Sequence, residues 1–324
     1  MAPERVHWRR FATRLMAATR ALGRWVVPRG WPLVAIVLGL VYVTLSLGLP
    51  SPETVSVIEA RSESAEFTVL NPDLATLRLG AMRLVDPTSD ADPACVDGLL
   101  VPALGAVARY QLAEDGILIA VTTAAAAAGR IERQGQPDLT LPAEAWLIPA
   151  PDCPGRPPRR LPLVGPLVLG EELRPDTFEG SSHPLIDGRL AVYGRAIAVD
   201  LGIYRSAPTL YPVSEITLPG GSRLFAPPVD GQSVPWHGFV SPGACGEAGC
   251  DPFTVQASTM AKTLHLVRPG TGVQPEVISI SAFAQLFSDP SIVYLWILVG
   301  VLSLLIQTLA NAGDLFAKLR PPPP

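Results

Sequence analysis

Two apolar runs bracket this chain, and between them polarity alternates in short steps. The first run, Trp31 to Leu49 (WPLVAIVLGLVYVTLSLGL), holds nineteen residues and no charge. At about 1.5 Å of rise per residue, a helix of that length approximately crosses the ~30 Å hydrocarbon core of a bilayer. The second run, Ser291 to Ala310 (SIVYLWILVGVLSLLIQTLA), has the same property. Two transmembrane helices are therefore predicted, over residues 31–49 and 289–311. They would leave 50–288 on one side of a membrane and the end segments 1–30 and 312–324 on the other.

Ahead of the first run, Trp8, Phe11, Leu15, Ala18, Leu22 and Trp25 recur in steps of three and four, which keeps them on one helical face. Arg9, Arg10, Arg20 and Arg24 fall elsewhere on that helix. The pattern predicts a basic amphipathic helix on an anionic leaflet, each arginine near the surface contributing about 1 kcal/mol. The run at 31–49 is longer than the ~7–15-residue core of a cleaved signal peptide, and Leu49-Pro50-Ser51-Pro52 offers no small-x-small cleavage site. It reads as an uncleaved signal anchor.

Between the runs the period is two rather than 3.6. Glu53 to Leu70 predicts two strands and Leu74 to Val85 a third. Further strands are predicted at Gly105–Leu112, Gly116–Thr123, Gly129–Gln134 and Leu139–Ile148. Asp86 to Gly98 reads as an acidic loop without the ligand spacing of an EF-hand, and Ala124 to Ala128 is too short for a stable helix. The proline-rich segment Pro149 to Arg160 (PAPDCPGRPPRR) is a candidate boundary inside the domain, with Cys153 placed to tie back to Cys95. Strand signals resume at Leu161–Gly170, Asp187–Val199, Tyr211–Pro219, Ser222–Ala226, His237–Ser241, Phe253–Ser258 and Thr263–Arg268, and Ser279–Ser288 reads as a short helix. Glycine-punctuated apolar pieces hint at a β-helix or a barrel with glycine corners. The fold class expected is a mainly β domain, sandwich or barrel-like with many short strands, held by two transmembrane α-helices with short amphipathic helices flanking the membrane.

Charge assigns the sides. Residues 1–30 carry seven arginines against one glutamate, whereas 51–288 carry sixteen Lys or Arg against twenty-six Asp or Glu. Arginine beside a transmembrane end favours the cytoplasm, so both termini are expected inside and the acidic domain outside. An acidic domain is a poor match for nucleic acid, whose phosphates demand excess positive charge. All four cysteines, Cys95, Cys153, Cys245 and Cys250, fall in the outer block, as disulfides in an oxidising compartment would. Abundant Arg, Ala, Gly and Pro with scarce Lys and Asn suggest a GC-rich bacterial genome, hence an inner membrane and a periplasm.

Candidate chemistry is sparse. His237, Cys245, Cys250 and His265 would supply two Cys and two His to a zinc ion, but the Cys245–Cys250 spacing also suits a disulfide-closed hairpin, which the oxidising compartment favours. There is no Gly-x-Ser-x-Gly, no His-Glu-x-x-His and no phosphate-cradling glycine loop. Trp146, Tyr193, Tyr204, Tyr211 and Trp236 are the aromatics available for stacking on sugar, although a β core consumes aromatics too. The apolar runs contain no ionisable residue that would form an ion path. Their small residues, Ala35 with Gly39 and Gly300 with Ser303, would let helices pack closely, within the pair or in an oligomer.

No catalytic residue and no cofactor are expected. The role expected is binding or scaffolding of a cell-envelope partner, a protein or a polysaccharide, beside membrane lipid. The competing readings are a membrane-tethered hydrolase of envelope polymers and an accessory subunit of a transporter or secretion complex.

Overall fold

The computed structural model describes residues 54–89, 92–171, 183–195, 210–246, 249–269 and 274–279, with Ser288, Asp289, Ile297, Gly300, Val301, Leu304 and Thr308. The chain divides into two compact units, Met1–Pro52 with Leu286–Pro324, and Glu53–Gln285. In the first unit Ser288, Ile297, Gly300, Val301, Leu304 and Thr308 are helical, and Ile297, Val301 and Leu304 are exposed. No helix among the described residues is long and apolar enough to cross a membrane. The whole of 1–49, most of 289–311, Ala35, Gly39, Ser303 and the arginines of the amphipathic segment lie outside the described residues.

The unit Glu53–Gln285 is built of strands. In chain order they are β1 (Thr54–Ser62), β2 (Ser64–Thr68), β3 (Leu77–Val85), β4 (Ala94–Pro102), β5 (Val107–Ala113), β6 (Gly116–Thr122) and β7 (Gly129–Glu132). Then follow β8 (Leu139–Leu141), β9 (Glu144–Pro149), β10 (Leu161–Gly165), β11 (Leu167–Leu169), β12 (Leu185–Arg195), β13 (Leu210–Leu218) and β14 (Arg223–Phe225). The last are β15 (Trp236–Ser241), β16 (Cys245–Gly246), β17 (Gly249–Cys250), β18 (Phe253–Thr259), β19 (Thr263–Val267) and β20 (Glu276–Ser279).

Six strands form one sheet in the order β10-β15-β18-β1-β12-β13, and twelve form a second in the order β20-β19-β14-β11-β2-β5-β6-β9-β3-β4-β7-β8. Strands β16 and β17 pair only with each other. Every ladder between these strands is antiparallel, so the glycine repetition does not build a parallel β-helix.

The chain passes between the sheets twice through a single residue, at Glu63 between β1 and β2 and at Pro166 between β10 and β11. Strands that switch sheets make the corners of such a fold. At the first corner the buried Ser62 hydroxyl donates to the Ser64 carbonyl oxygen at 2.8 Å, so a polar group at a dry bend is satisfied. At the second, Gly165 adopts φ +147°, and a Cβ there would lie 1.8 Å from the Thr68 carbonyl oxygen. Glycine is the residue that lets the two corners touch.

One core serves both sheets and both sides of the 149–160 crossing. Ile58, Phe67, Ile119 and Leu147 from before it join Leu163, Trp236 and Phe253 from after it, all essentially inaccessible to water. Each such side chain contributes roughly 1.5–3 kcal/mol by burial. The Tyr110 hydroxyl on β5 donates to the Pro162 carbonyl oxygen on β10 at 2.7 Å, and its ring lies 5.6 Å from that of Phe67. Burial pushes the Tyr110 phenol well above its usual range.

Outward-facing positions carry charge in register. Glu59 lies opposite Arg189 on β12 and opposite Gln256 on β18. The Arg189 guanidinium, by hydrogen bond first and by charge second, holds the Glu59 carboxyl below its usual range. Cross-strand pairs of this kind help set register more than stability at an exposed site.

Three elements differ from the pattern-based expectation. Ala94–Gly98, expected in a loop, begins β4, because pairing with β3 supplies backbone partners that its acidic sequence does not advertise. Leu139–Ile148 splits into β8 and β9, which pair with β7 and β6 respectively. β20 forms on the edge strand β19 from a segment with no strand signal, whereas Ala124–Ala128 is coil, in keeping with a run too short for a helix.

Candidate functional site

The site begins with an irregularity in β3. Its register with β4 steps between Leu79 and Met82, which leaves Gly80 and Ala81 bulged out of the ladder. Ala81 takes φ +51°, a left-handed conformation that costs a residue with a side chain about 1 kcal/mol. Its backbone groups find partners in the proline-rich crossing instead. The Ala81 N–H donates to the Pro154 carbonyl at 2.8 Å, and its carbonyl accepts from the Ala150 N–H at 2.9 Å.

Three further contacts seat the crossing on the bulge. The Cys95–Cys153 disulfide joins it to β4 across a sequence separation of 58. Asp152 pairs with Arg83 on β3. Gly80 and Gly155 bring the two backbones together: a Cβ on Gly80 would lie 2.8 Å from the Arg156 carbonyl oxygen, and one on Gly155, which has φ +101°, 3.0 Å from the Gly80 Cα.

The outcome is a cluster of cations. Arg156, Arg159 and Arg160 from the crossing and Arg78 from β3 line one cavity of ≈ 420 Å³, together with Asp97 of β4. The Arg160 guanidinium is held over the Phe239 ring, 4.9 Å from its centroid. A neighbouring cavity of ≈ 760 Å³ shares Arg78 and Asp97 and continues past Glu132, Gln134 and Gln136.

Charge pairing separates these four arginines from most others of the domain; Arg133, which donates to the Pro137 carbonyl oxygen and lines the neighbouring cavity, and Arg223, over the Phe225 ring, also lack a carboxylate partner among the described residues. Elsewhere Arg61 pairs with Asp187 at 2.8 Å, Arg130 with Glu132 at 2.7 Å, Arg189 with Glu59 at 2.5 Å and Arg268 with Glu276 at 2.7 Å. Arg83 and Arg109 have Asp152 and Glu66. Among the described residues Arg78, Arg156, Arg159 and Arg160 have no carboxylate at ion-pair distance. In a domain with ten more acids than bases, unpaired guanidinium groups gathered on one cavity present forks suited to carboxylate or phosphate oxygens.

The zinc set does not assemble. Cys245 and Cys250 lie opposite each other on β16 and β17 and are joined by a disulfide, so neither sulfur is a thiolate ligand. His237 is on β15 in the six-stranded sheet and His265 on β19 in the twelve-stranded one, where its imidazole meets the Phe225 ring edge-on at 5.4 Å. Among the described residues no three His, Cys, Asp or Glu converge as a metal cage.

The aromatics separate too. Trp236 and Tyr211 are buried, Tyr193 is half-buried, Tyr204 lies outside the described residues, and Trp146 is exposed with its indole N–H donating to Glu144 at 3.1 Å. Among the described residues none of these aromatics lines either cavity. Of the acidic loop, Asp86 accepts from the Thr88 N–H and hydroxyl at 2.9 and 2.7 Å, which closes a local turn, whereas Asp97 reaches the cavity.

The arginines of the crossing are the functional candidates that the sequence pattern does not single out. Their signal is present as Arg-Pro-Pro-Arg-Arg, three cations within five residues of an acidic domain, but the prolines among them mark a boundary first. Arg78 carries no signal, since only the fold brings it to the same place.

The sequence matches no protein-family model, and comparisons with curated proteins and with solved structures return no match.

Proposed function

We propose that this chain is a bacterial inner-membrane protein with two transmembrane helices, at 31–49 and 289–311, and both termini in the cytoplasm. Its disulfide-bonded β domain is displayed in the periplasm, where it binds or holds a cell-envelope partner without turnover. The apolar runs, the arginine bias of residues 1–30 and the oxidised cysteines support the placement. The observation that carries the binding role is the cavity lined by Arg78, Arg156, Arg159 and Arg160, four cations without carboxylate partners among the described residues of an acidic domain.

Two measurements test this reading. Reporter fusions at each terminus are expected to be active only for cytoplasmic reporters; a periplasmic signal at either end defeats the topology. Crosslinking of the intact protein in membranes is expected to capture a partner whose yield falls in an Arg156→Ser/Arg159→Ser variant. Equal yield from both proteins removes the cavity from the binding role.

A further inference from the structure

We infer that the two adjoining cavities take a single ligand, an acidic polysaccharide whose carboxylate or phosphate groups meet the arginines while its hydroxyls meet Asp97, Gln134 and Gln136. This rests on the binding role proposed above and specifies the chemistry of its ligand.

The lining of the cavities distinguishes this ligand from other polyanions. Arg156, Arg159, Arg160 and Arg78 supply planar, bidentate donors for oxyanions. Asp97 lines both cavities yet has no ion pair among the described residues, although four guanidinium groups share its cavity. A carboxylate there repels a bare anion. It accepts from O–H donors, which a sugar chain presents at every residue and which the ionised side chains of an acidic peptide lack. Gln134 and Gln136 extend the same polar character along the second cavity with groups that both donate and accept.

Shared lining makes the two spaces neighbours, with Arg78 and Asp97 belonging to each. Their volumes, ≈ 420 and ≈ 760 Å³, suit consecutive residues of a chain rather than one small ion. A nucleic acid strand would look for aromatic platforms, and the lining of these cavities contains none.

The full-length protein in a non-ionic detergent is titrated by calorimetry with hexagalacturonate as the carboxylate probe and pentamannosyl phosphate as the phosphate probe. Maltohexaose, hexaglutamate and inorganic phosphate serve as comparisons. At least one acidic glycan is expected to bind, and the stronger of the two identifies the anionic group. Affinity is expected to fall about 10-fold for each of Arg156→Ser and Arg159→Ser. Arg156→Lys/Arg159→Lys is expected to restore it only in part, because an ammonium lacks the guanidinium fork. Asp97→Ala is expected to weaken glycan binding several-fold while strengthening inorganic phosphate, opposite signs that a change in folding cannot produce.

Hexaglutamate or maltohexaose binding as tightly as the acidic glycans overturns the inference. So does an Asp97→Ala variant whose glycan and phosphate affinities move together, or the absence of binding by both acidic glycans. If partner capture in membranes remains arginine-dependent in those cases, the binding role survives and only the ligand class is wrong. If it does not, both fall.

Discussion

The backbones of Gly80 and Arg156 touch: a Cβ on Gly80 would sit 2.8 Å from the Arg156 carbonyl oxygen. The neighbouring atom belongs to a main chain already held by a disulfide and by the hydrogen bonds of Ala81, so it has little freedom to give way. Gly80→Val is expected to destabilise the domain by about 1–3 kcal/mol through overpacking. Because the displaced segment carries three of the four cavity arginines, oxyanion binding is expected to fall as well. Urea unfolding checks the first effect and titration of the still-folded variant the second. A Gly80→Val protein with unchanged midpoint and affinity would contradict the seating described above.

The two disulfides are expected to differ in their effect on stability. Cys95–Cys153 closes a separation of 58 residues and Cys245–Cys250 one of 5. By the chain-entropy relation, removing the first as a Cys→Ser pair costs roughly 4 kcal/mol and removing the second about 2 kcal/mol or less. The shift of the urea midpoint is measured for each double variant. A larger loss for Cys245→Ser/Cys250→Ser would show that the small hairpin matters in a way its loop length does not explain.

A third prediction concerns high pH. The Tyr110 phenol is raised above its unfolded value of ~10 because burial disfavours the phenolate. Its contribution to stability is therefore fully present below pH ~10 and is lost as pH rises further, because the unfolded chain releases the proton and the folded one holds it. Absorbance titration near 295 nm is expected to show one tyrosine ionising only together with unfolding. That late step is expected to vanish in Tyr110→Phe, which also loses about 1 kcal/mol at neutral pH with its hydrogen bond to Pro162. A titration in which Tyr110→Phe removes an early-ionising tyrosine would contradict the buried position.

The corner at Gly165 offers a fourth test. With φ at +147° and a Cβ placed 1.8 Å from the Thr68 carbonyl oxygen, Gly165→Ala meets both strain and a backbone clash. A loss of about 3–5 kcal/mol is expected, among the larger effects of a single substitution. The contrasting site is Gly105, also at positive φ but with open space where an alanine Cβ would sit. Alanine there meets only the conformational strain and is expected to cost about 1–2 kcal/mol. Thermal or urea denaturation of the two variants side by side decides it.

Period-two alternation was enough to locate strands at Thr54–Ser62 and Phe253–Thr259, because each side chain there is placed by its own pleat, but which face of Thr54–Ser62 turns inward was decided by the fold, which buries Ser56 and Ser62 and leaves Val57 exposed. The same local logic made the Cys245–Cys250 hairpin readable from its spacing. It failed at Ala94–Gly98 and at β20, where the strand exists only because a neighbour offers unpaired backbone groups. The β-rich class and the disulfide-bonded character of the domain were thus determined by sequence alone, since periodicity and cysteine placement are properties of short stretches. The tertiary structure decided that residues on either side of the Pro149–Arg160 crossing share one core, and that Arg78 meets Arg156, Arg159 and Arg160 on one cavity. Those positions are far apart in the chain, and what unites them is a bulge, two close-packed glycines and a disulfide, none of which has a periodic signature.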